Sequence, residues 1–177
     1  FHYTTKISNL IKSAKVARDA EKLYFTAVCE KDIVKNDSFM HLYIDADRNR
    51  ATGWEGYDFV INTPSAGDVS KLNADGSVNV IGKAEYALSG KTLSVKASKA
   101  ILGIGSPVNF EFKWVDNAEG DILNFYVDGN AAPNARFNYI YTEIPQKSLS
   151  KEERAALADT IVVADGSNRA FVSGAKM

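Results

Sequence analysis

The chain has 177 residues and carries 21 Lys and Arg against 22 Asp and Glu, so its formal charge is −1. This balance excludes the strongly basic footprint of a nucleic-acid-binding protein. Hydrophobic residues make up 45% and charged residues 24%, which is typical of a globular domain with a substantial core and excludes wholesale disorder. No apolar run approaches the ~20 residues that a membrane-spanning helix needs.

Few side chains are available for covalent or metal chemistry. The single cysteine, Cys29, excludes an internal disulfide framework and a cysteine-rich zinc site, and its alternation with apolar residues predicts that it is buried. The two histidines are His2, at the terminus, and His41, within a predicted strand, so no Ser-His-Asp arrangement can be assembled. No glycine-rich loop joins a strand to a helix, so nucleotide binding has no support. Composition therefore argues against an enzyme.

Short runs of alternating side chains, separated by turn residues at intervals of roughly ten, extend from residue 23 to residue 145. Asp75-Gly76 and Ser89-Gly90 are typical of tight hairpin turns. The runs predict an all-β protein, an antiparallel sandwich of about nine strands. In chain order they are residues 23–29, 39–44, 57–62, 78–81, 84–88, 93–97, 110–114, 122–127 and 137–141, with a further run near Val69.

The sequence changes character after Pro145. Ser150 and Glu153 form a capping box, and the alanine-rich segment that follows favours helix. A β-branched run, an Asp-Gly turn and a short apolar run then predict a hairpin, which is marginally stable alone. We expect a sandwich over residues 1–145 and, over residues 146–177, a helical linker with the first hairpin of a following module.

The densest group of polar side chains follows the second run. Asp45, Asp47, Asn49 and Asp58 offer carboxylate and amide oxygens, which are the ligands that calcium prefers. The Asp-x-Asp-x-Asn spacing partly matches an EF-hand loop, but the positions that require Gly and Glu there hold Arg50 and Gly56, so an EF-hand is excluded. A calcium site of another type remains one interpretation of this loop.

A second interpretation is that Asp45, Asn49, Thr52 and Gly53 cap a long turn through hydrogen bonds to the backbone. Two arginines in the loop, Arg48 and Arg50, would neutralise its acids locally and so favour the purely structural turn. The sequence leaves both interpretations open. A glycosidase-type acid pair is a distant third, because no pairing is indicated among the candidates Asp45, Asp47, Glu55, Asp58 and Asp116.

Aromatic residues are abundant, with 2 Trp, 8 Tyr and 9 Phe. Sugar rings stack on Trp and Tyr, so Trp54 and Tyr57, with Glu55 between them in the polar loop, are candidate sugar-binding residues. The alternative for both rings is packing beneath the loop. Trp114 follows Phe110 and Phe112 with a period of two and is predicted to lie in the core.

Several segments together resemble a known family, the family 9 carbohydrate-binding-module-like, or DOMON-like, β-sandwich. The resemblance covers residues 1–143, and its most specific part is Asp45-x-Asp47 followed by Thr52-Gly53 and then Gly56-x-Asp58 with an aromatic residue. The segments that carry it are residues 15–19, 23–25, 43–47, 52–59, 112–117, 125–129, 131–133 and 137–139.

The resemblance implies a jelly-roll sandwich without catalytic activity, which binds sugars in some members and often holds structural calcium. Such domains are accessory modules of secreted bacterial polysaccharide-active proteins, so an extracellular or cell-surface location is expected. Some DOMON relatives bind haem through a Met and a His on separate strands. Here Met40 and His41 are adjacent and point to opposite faces, so no haem is expected.

The tail, residues 159–174, is similar to the opening hairpin of a copper-amine-oxidase N-terminal-like module, although no copper ligand set accompanies it. This similarity, with a start at Phe1 and no signal-peptide pattern, predicts a segment of a larger extracellular protein.

We therefore predict a non-catalytic carbohydrate-binding module of a secreted polysaccharide-active protein. Its expected partners are a polysaccharide or oligosaccharide and other domains of the same polypeptide, with no nucleic acid and no membrane insertion. Trp54, Tyr57 and Glu55 are the predicted sugar contacts, and Asp45, Asp47, Asn49 and Asp58 are the predicted calcium ligands. The alternative function is a structural or interaction spacer that binds no sugar.

Overall fold

A computed structural model of the chain describes residues 9–35, 40–116, 130–133 and 137–145. The regular secondary structure in these ranges is entirely β. Among the residues described, no helix is long and apolar enough to cross a membrane. The strands are β1 (Ile11–Arg18), β2 (Lys22–Cys29), β3 (His41–Asp45), β4 (Phe59–Ile61), β5 (Asp68–Leu72), β6 (Val78–Lys83), β7 (Glu85–Ser89), β8 (Thr92–Ser98), β9 (Asn109–Asp116), β10 (Asn130–Ala132) and β11 (Tyr139–Thr142).

The strands form two antiparallel sheets. The smaller sheet has the order β1-β2-β8-β7, and the larger has the order β10-β9-β3-β4-β5-β6, with β11 also paired to β9. The all-β antiparallel prediction is confirmed. Neither β1 nor β10 was predicted, because β1 is an edge strand that alternates weakly and β10 has only three residues. The predicted Asp75-Gly76 turn joins β5 to β6, and Ser89-Gly90 lies between β7 and β8.

The main core lies between the two sheets. Register pairs such as Phe25↔Val95 in the smaller sheet and Ile44↔Phe112 in the larger place apolar side chains on the facing surfaces. The ring of Phe25 meets those of Phe110 and Phe112 edge-on, at centroid distances of 5.9 and 5.3 Å, and so joins the sheets directly. The arrangement is sandwich-like, and burial of these large rings is its main source of stability.

A second apolar cluster covers the opposite surface of the larger sheet. Its members come from four neighbouring strands and from the loop between β3 and β4, namely Tyr43, Trp54, Tyr57, Val60, Leu72 and Val115. All five residues of β3 are consequently buried. The loop after β3 is therefore packed against the sheet by its own aromatic residues.

The burial of Cys29 and Trp114 matches prediction, since they are 2% and 0% exposed. The chain divides into two compact units, Phe1–Glu143 and Ile144–Met177, a division that falls beside the boundary expected at Pro145. The strand predicted over residues 122–127 lies outside the described residues, as do the helix and hairpin predicted within residues 146–177.

Candidate metal centre

Three carboxylates meet where β3 ends. Asp45 is the last residue of β3, Asp47 follows two positions later, and Asp58 directly precedes β4. Because β3 and β4 are antiparallel and pair Ile44 with Phe59, the chain brings Asp58 back beside Asp45. One oxygen from each carboxylate lies within 4.8 Å of the other two. That spacing allows all three side chains to bind a single hard cation.

Asp45 is the buried member of this group. Its side chain is fully buried, and among the described residues neither of its oxygens accepts a hydrogen bond of normal geometry. Burial raises its pKa to about 6, and the nearby backbone amide of Arg48 offsets this only in part. An unpaired buried carboxylate costs several kcal/mol, so this position favours either a protonated carboxyl group or a positively charged partner.

Asp58 is half-buried and, unlike Asp45, accepts a hydrogen bond of normal geometry from the described residues. Its Oδ2 accepts a hydrogen bond of 2.8 Å from the backbone amide of Ala46. Burial is the main cause that raises its pKa, and the neighbouring charge of Asp47 raises it further. The pKa values of Asp45 and Asp58 are thus both raised mainly by burial, with a smaller contribution from neighbouring carboxylates.

The outer part of the loop is held by turn hydrogen bonds. Asp47 Oδ1 accepts from the Asn49 amide at 2.8 Å and from the Thr52 hydroxyl at 3.1 Å. Asn49 Oδ1 accepts from the Ala51 amide at 3.0 Å. These hydrogen bonds give Asn49 and Thr52, and also the predicted ligand Asp47, a role in holding the turn. Asn49 and Thr52 cap the turn, and Asn49, a predicted ligand, has its amide oxygen committed there, whereas Asp45 takes no part in capping.

Arg48 and Arg50 form their ion pairs with Glu111 rather than with the loop acids, although the charge of Arg50 still partly offsets the raised pKa of Asp45. In the described part of the chain their ion pairs go to Glu111 of β9, with Arg48 Nε 3.3 Å from Oε1 and Arg50 Nη2 2.8 Å from Oε2. Arg48 also donates to Asn109 Oδ1 at 3.1 Å. Its backbone is left-handed, with φ of 58°, where the chain leaves β3, and its guanidinium reaches across to β9. The sequence did not indicate Glu111 as a partner because it is 63 residues from Arg48 in the chain, whereas in the sheet β9 pairs directly with β3.

Two charged residues of β9 were missed by sequence reasoning. Glu111 and Lys113 alternate with the core residues Phe110, Phe112 and Trp114, so periodicity places them on the face of β9 opposite the main core. The loop covers that face, and Glu111 and Lys113 are 7% and 0% exposed. Lys113 Nζ donates to the Pro133 carbonyl at 3.1 Å, and burial lowers its pKa to about 8.

The predicted sugar platform is buried. Trp54 and Tyr57 exchange backbone hydrogen bonds of 2.9 and 2.8 Å around Glu55 and Gly56, whose positive φ values of 51° and 87° define a type I′ turn. The turn folds both rings against Tyr43, at centroid distances of 6.3 and 5.3 Å. Only 7% of Trp54 and 2% of Tyr57 is exposed, so protein covers the faces on which a sugar would stack. Glu55 is exposed at the tip of the turn.

Two candidate acids for hydrolysis are also enclosed. Asp45 and Asp116 are 0% and 1% exposed, so neither is accessible to a polymeric substrate. Asp116 accepts hydrogen bonds from the Asn9 side chain at 2.9 Å and the Met40 amide at 3.0 Å, which is a structural role. Met40 packs in the main core, whereas His41 faces the second cluster, and burial lowers the His41 pKa to about 4.

Comparison with known proteins identifies no relative of this chain. The sequence matches no family model, and no curated protein or solved structure matches it.

Proposed function

We propose that this chain is a non-catalytic sandwich module that binds a calcium ion in the loop after β3 and recognises carbohydrate. The observation that carries the proposal is the fully buried Asp45 carboxylate, which accepts no hydrogen bond of normal geometry from the described residues and lies with Asp47 and Asp58 around a common point. Carboxylates so placed repel one another unless a cation lies between them.

The donor set fits calcium better than a transition metal. Asp45, Asp47 and Asp58 supply hard oxygen ligands, and carbonyl groups of the loop and water complete the six to eight that calcium takes. Calcium bound there supplies positive charge that neutralises the buried carboxylate. The ligands themselves join the end of β3, the loop and the start of β4, so occupancy fixes the loop on the sheet.

The carbohydrate part of the proposal requires an accessible ring, and Tyr24 on the smaller sheet offers one. Its side chain is 37% exposed, and its hydroxyl donates to Asp19 at 2.6 Å, which holds the ring in place. Its cross-strand neighbour Lys96, together with Lys22, binds Glu85 at 3.0 and 3.1 Å, so donors for sugar hydroxyls lie alongside. We propose this face as the sugar-binding surface in place of Trp54 and Tyr57.

The same proposal extends to the setting of the module. A jelly-roll arrangement of the strands, secretion, and attachment to further domains through the helical linker and hairpin that the sequence predicts after Pro145 all accord with the family resemblance. A polysaccharide or oligosaccharide is the proposed ligand.

Measurements of calcium binding and of glycan binding, both made on the full chain, test the proposal. Isothermal calorimetry with CaCl₂ is expected to show saturable binding, and a chelator is expected to lower Tm. A panel of plant and bacterial polysaccharides is expected to contain a ligand whose binding Tyr24→Ala abolishes and Tyr24→Phe preserves. Calcium binding without any glycan binding would instead identify a structural spacer, and the absence of both would overturn the proposal.

A further inference from the structure

We propose that Glu111 is a positioning residue for the cation site, because it holds Arg48 and Arg50 away from the carboxylates that bind the ion. This inference rests on the proposed calcium site and assigns the control of its affinity to a residue that is not a ligand.

The position of Glu111 makes it the nearest competitor for the loop arginines. It is the direct cross-strand partner of Asp45 in the β3–β9 pairing, so both side chains leave the same face of the sheet side by side. Its two oxygens are divided between the arginines: Oε1 accepts from Arg48, and Oε2 accepts from Arg50 and from Asn138 Nδ2 at 3.1 Å. Glu111 is 7% exposed, whereas the Arg48 and Arg50 side chains are 21% and 34% exposed, so these charge-assisted bonds are partly shielded from water.

Without the Glu111 charge, the carboxylates of the same loop become the alternative partners for the two guanidiniums. Arg48 directly follows Asp47 in the chain, and Arg50 lies in the same loop, between Asp47 and Asp58. A guanidinium readily binds a carboxylate through two parallel hydrogen bonds. Such pairs occupy the same oxygens as calcium, so the fraction of chains competent to bind the ion falls and the apparent affinity falls with it.

The first test is the variant Glu111→Gln, which preserves the size of the side chain but removes the charge and replaces one accepting oxygen with an NH2 donor. Calcium affinity, measured by calorimetry on the full chain, is expected to fall roughly tenfold or more. The triple variant Glu111→Gln with Arg48→Gln and Arg50→Gln is expected to regain most of the lost affinity, because the competing guanidiniums are gone. A merely structural role for Glu111 predicts instead that the triple variant binds no better than the single one.

A second variant keeps the inference falsifiable if Glu111→Gln does not fold. Arg48→Gln with Arg50→Gln, in a chain that retains Glu111, is expected to bind calcium at least as tightly as the wild type. Weaker binding by this double variant would overturn the inference, as would wild-type affinity in Glu111→Gln. A wild-type chain that binds no calcium would overturn the proposed function as well, so the two failures are distinguishable.

Discussion

Asp45 and Glu111 are direct cross-strand partners on the outer face of the larger sheet, and both carboxylates are buried. Like charges placed directly opposite each other on a sheet are destabilising. Glu111 is compensated by two arginines of the loop, whereas Asp45 faces Asp47 and Asp58. Among the described residues the ion pairs lie on the Glu111 side of this pair, and the proposed cation would balance the Asp45 side.

The first prediction concerns Asp45→Asn. In the presence of chelator at pH 7, this variant is expected to melt at a higher temperature than the wild type, because it removes an uncompensated buried charge. It is also expected to lose the increase in Tm that calcium gives the wild type, which corresponds to ~2.7 kcal/mol when calcium exceeds Kd by ~100-fold. Differential scanning calorimetry with and without calcium measures both effects.

Glu55→Gln is the matched control for this experiment. It removes an exposed carboxylate from the same loop, outside the cluster of three acids, and is expected to retain the calcium response. An unchanged calcium response in Asp45→Asn would show that Asp45 is not a ligand.

The second prediction is a pair of opposed pH profiles in the metal-free protein. The Asp45 pKa is raised from 3.8 to about 6, so the folded state binds the extra proton in this interval and stability falls as pH rises through it. The His41 pKa is lowered from 6.5 to about 4, so the unfolded state binds the extra proton and stability rises as pH rises. The two contributions oppose each other over most of the same range.

Single variants separate these two contributions. With chelator present, His41→Leu is expected to become more stable as pH falls from 6 towards 4, because the Asp45 contribution remains. Asp45→Asn is expected to lose stability over that range, because the His41 contribution remains. Urea unfolding at a series of pH values provides the measurement. Parallel profiles for the two variants would contradict the assignment of both groups.

The third prediction concerns Gly53, where the chain requires the absence of a side chain. With φ of 59°, a Cβ at this position would lie 1.9 Å from the Tyr57 carbonyl oxygen. Gly53→Ala is therefore expected to displace the loop, and to weaken calcium binding as well as lower Tm. Gly103→Ala is the control, since Gly103 has a similar φ of 63° and no atom within 4 Å of a Cβ, leaving only a backbone cost of about 1–2 kcal/mol. Equal effects of both substitutions on Tm and calcium affinity would contradict the role given to the Tyr57 contact.

The fourth prediction distinguishes packing from sugar recognition. Trp54→Ala is expected to destabilise the protein by about 3–5 kcal/mol, because the ring packs on Tyr43 and Tyr57 in the second cluster. Tyr24→Ala, at an exposed position, is expected to change Tm little. Chemical denaturation of both variants gives the comparison. A Trp54→Ala variant with wild-type stability would show that the ring is not a packing residue.

Much of the fold could be predicted from local patterns. Successive side chains of a strand point to opposite sides, so the alternation in β2 and β8 assigns Phe25 and Val95 to one face of the smaller sheet. The alternation in β3 and β9 likewise assigns Leu42 and Trp114 to one face of the larger sheet. The same patterns indicated the Asp75-Gly76 turn and the acidic loop. They did not indicate β1 or β10, whose short or polar segments become strands by pairing with β2 and β9.

By itself, the sequence determined the strand faces, the tight turns and a loop rich in oxygen ligands, because these properties depend on neighbouring residues. Only the tertiary structure decided that Glu111 lies opposite Asp45, that Arg48 and Arg50 bind Glu111, and that Trp54 and Tyr57 are covered. Each of these outcomes depends on which strand lies beside β3 and on the packing of the loop across that sheet. Contacts of this kind join segments that are far apart in the chain, such as those of Arg48 and Glu111, which are 63 residues apart. No local pattern in the sequence extends over that distance.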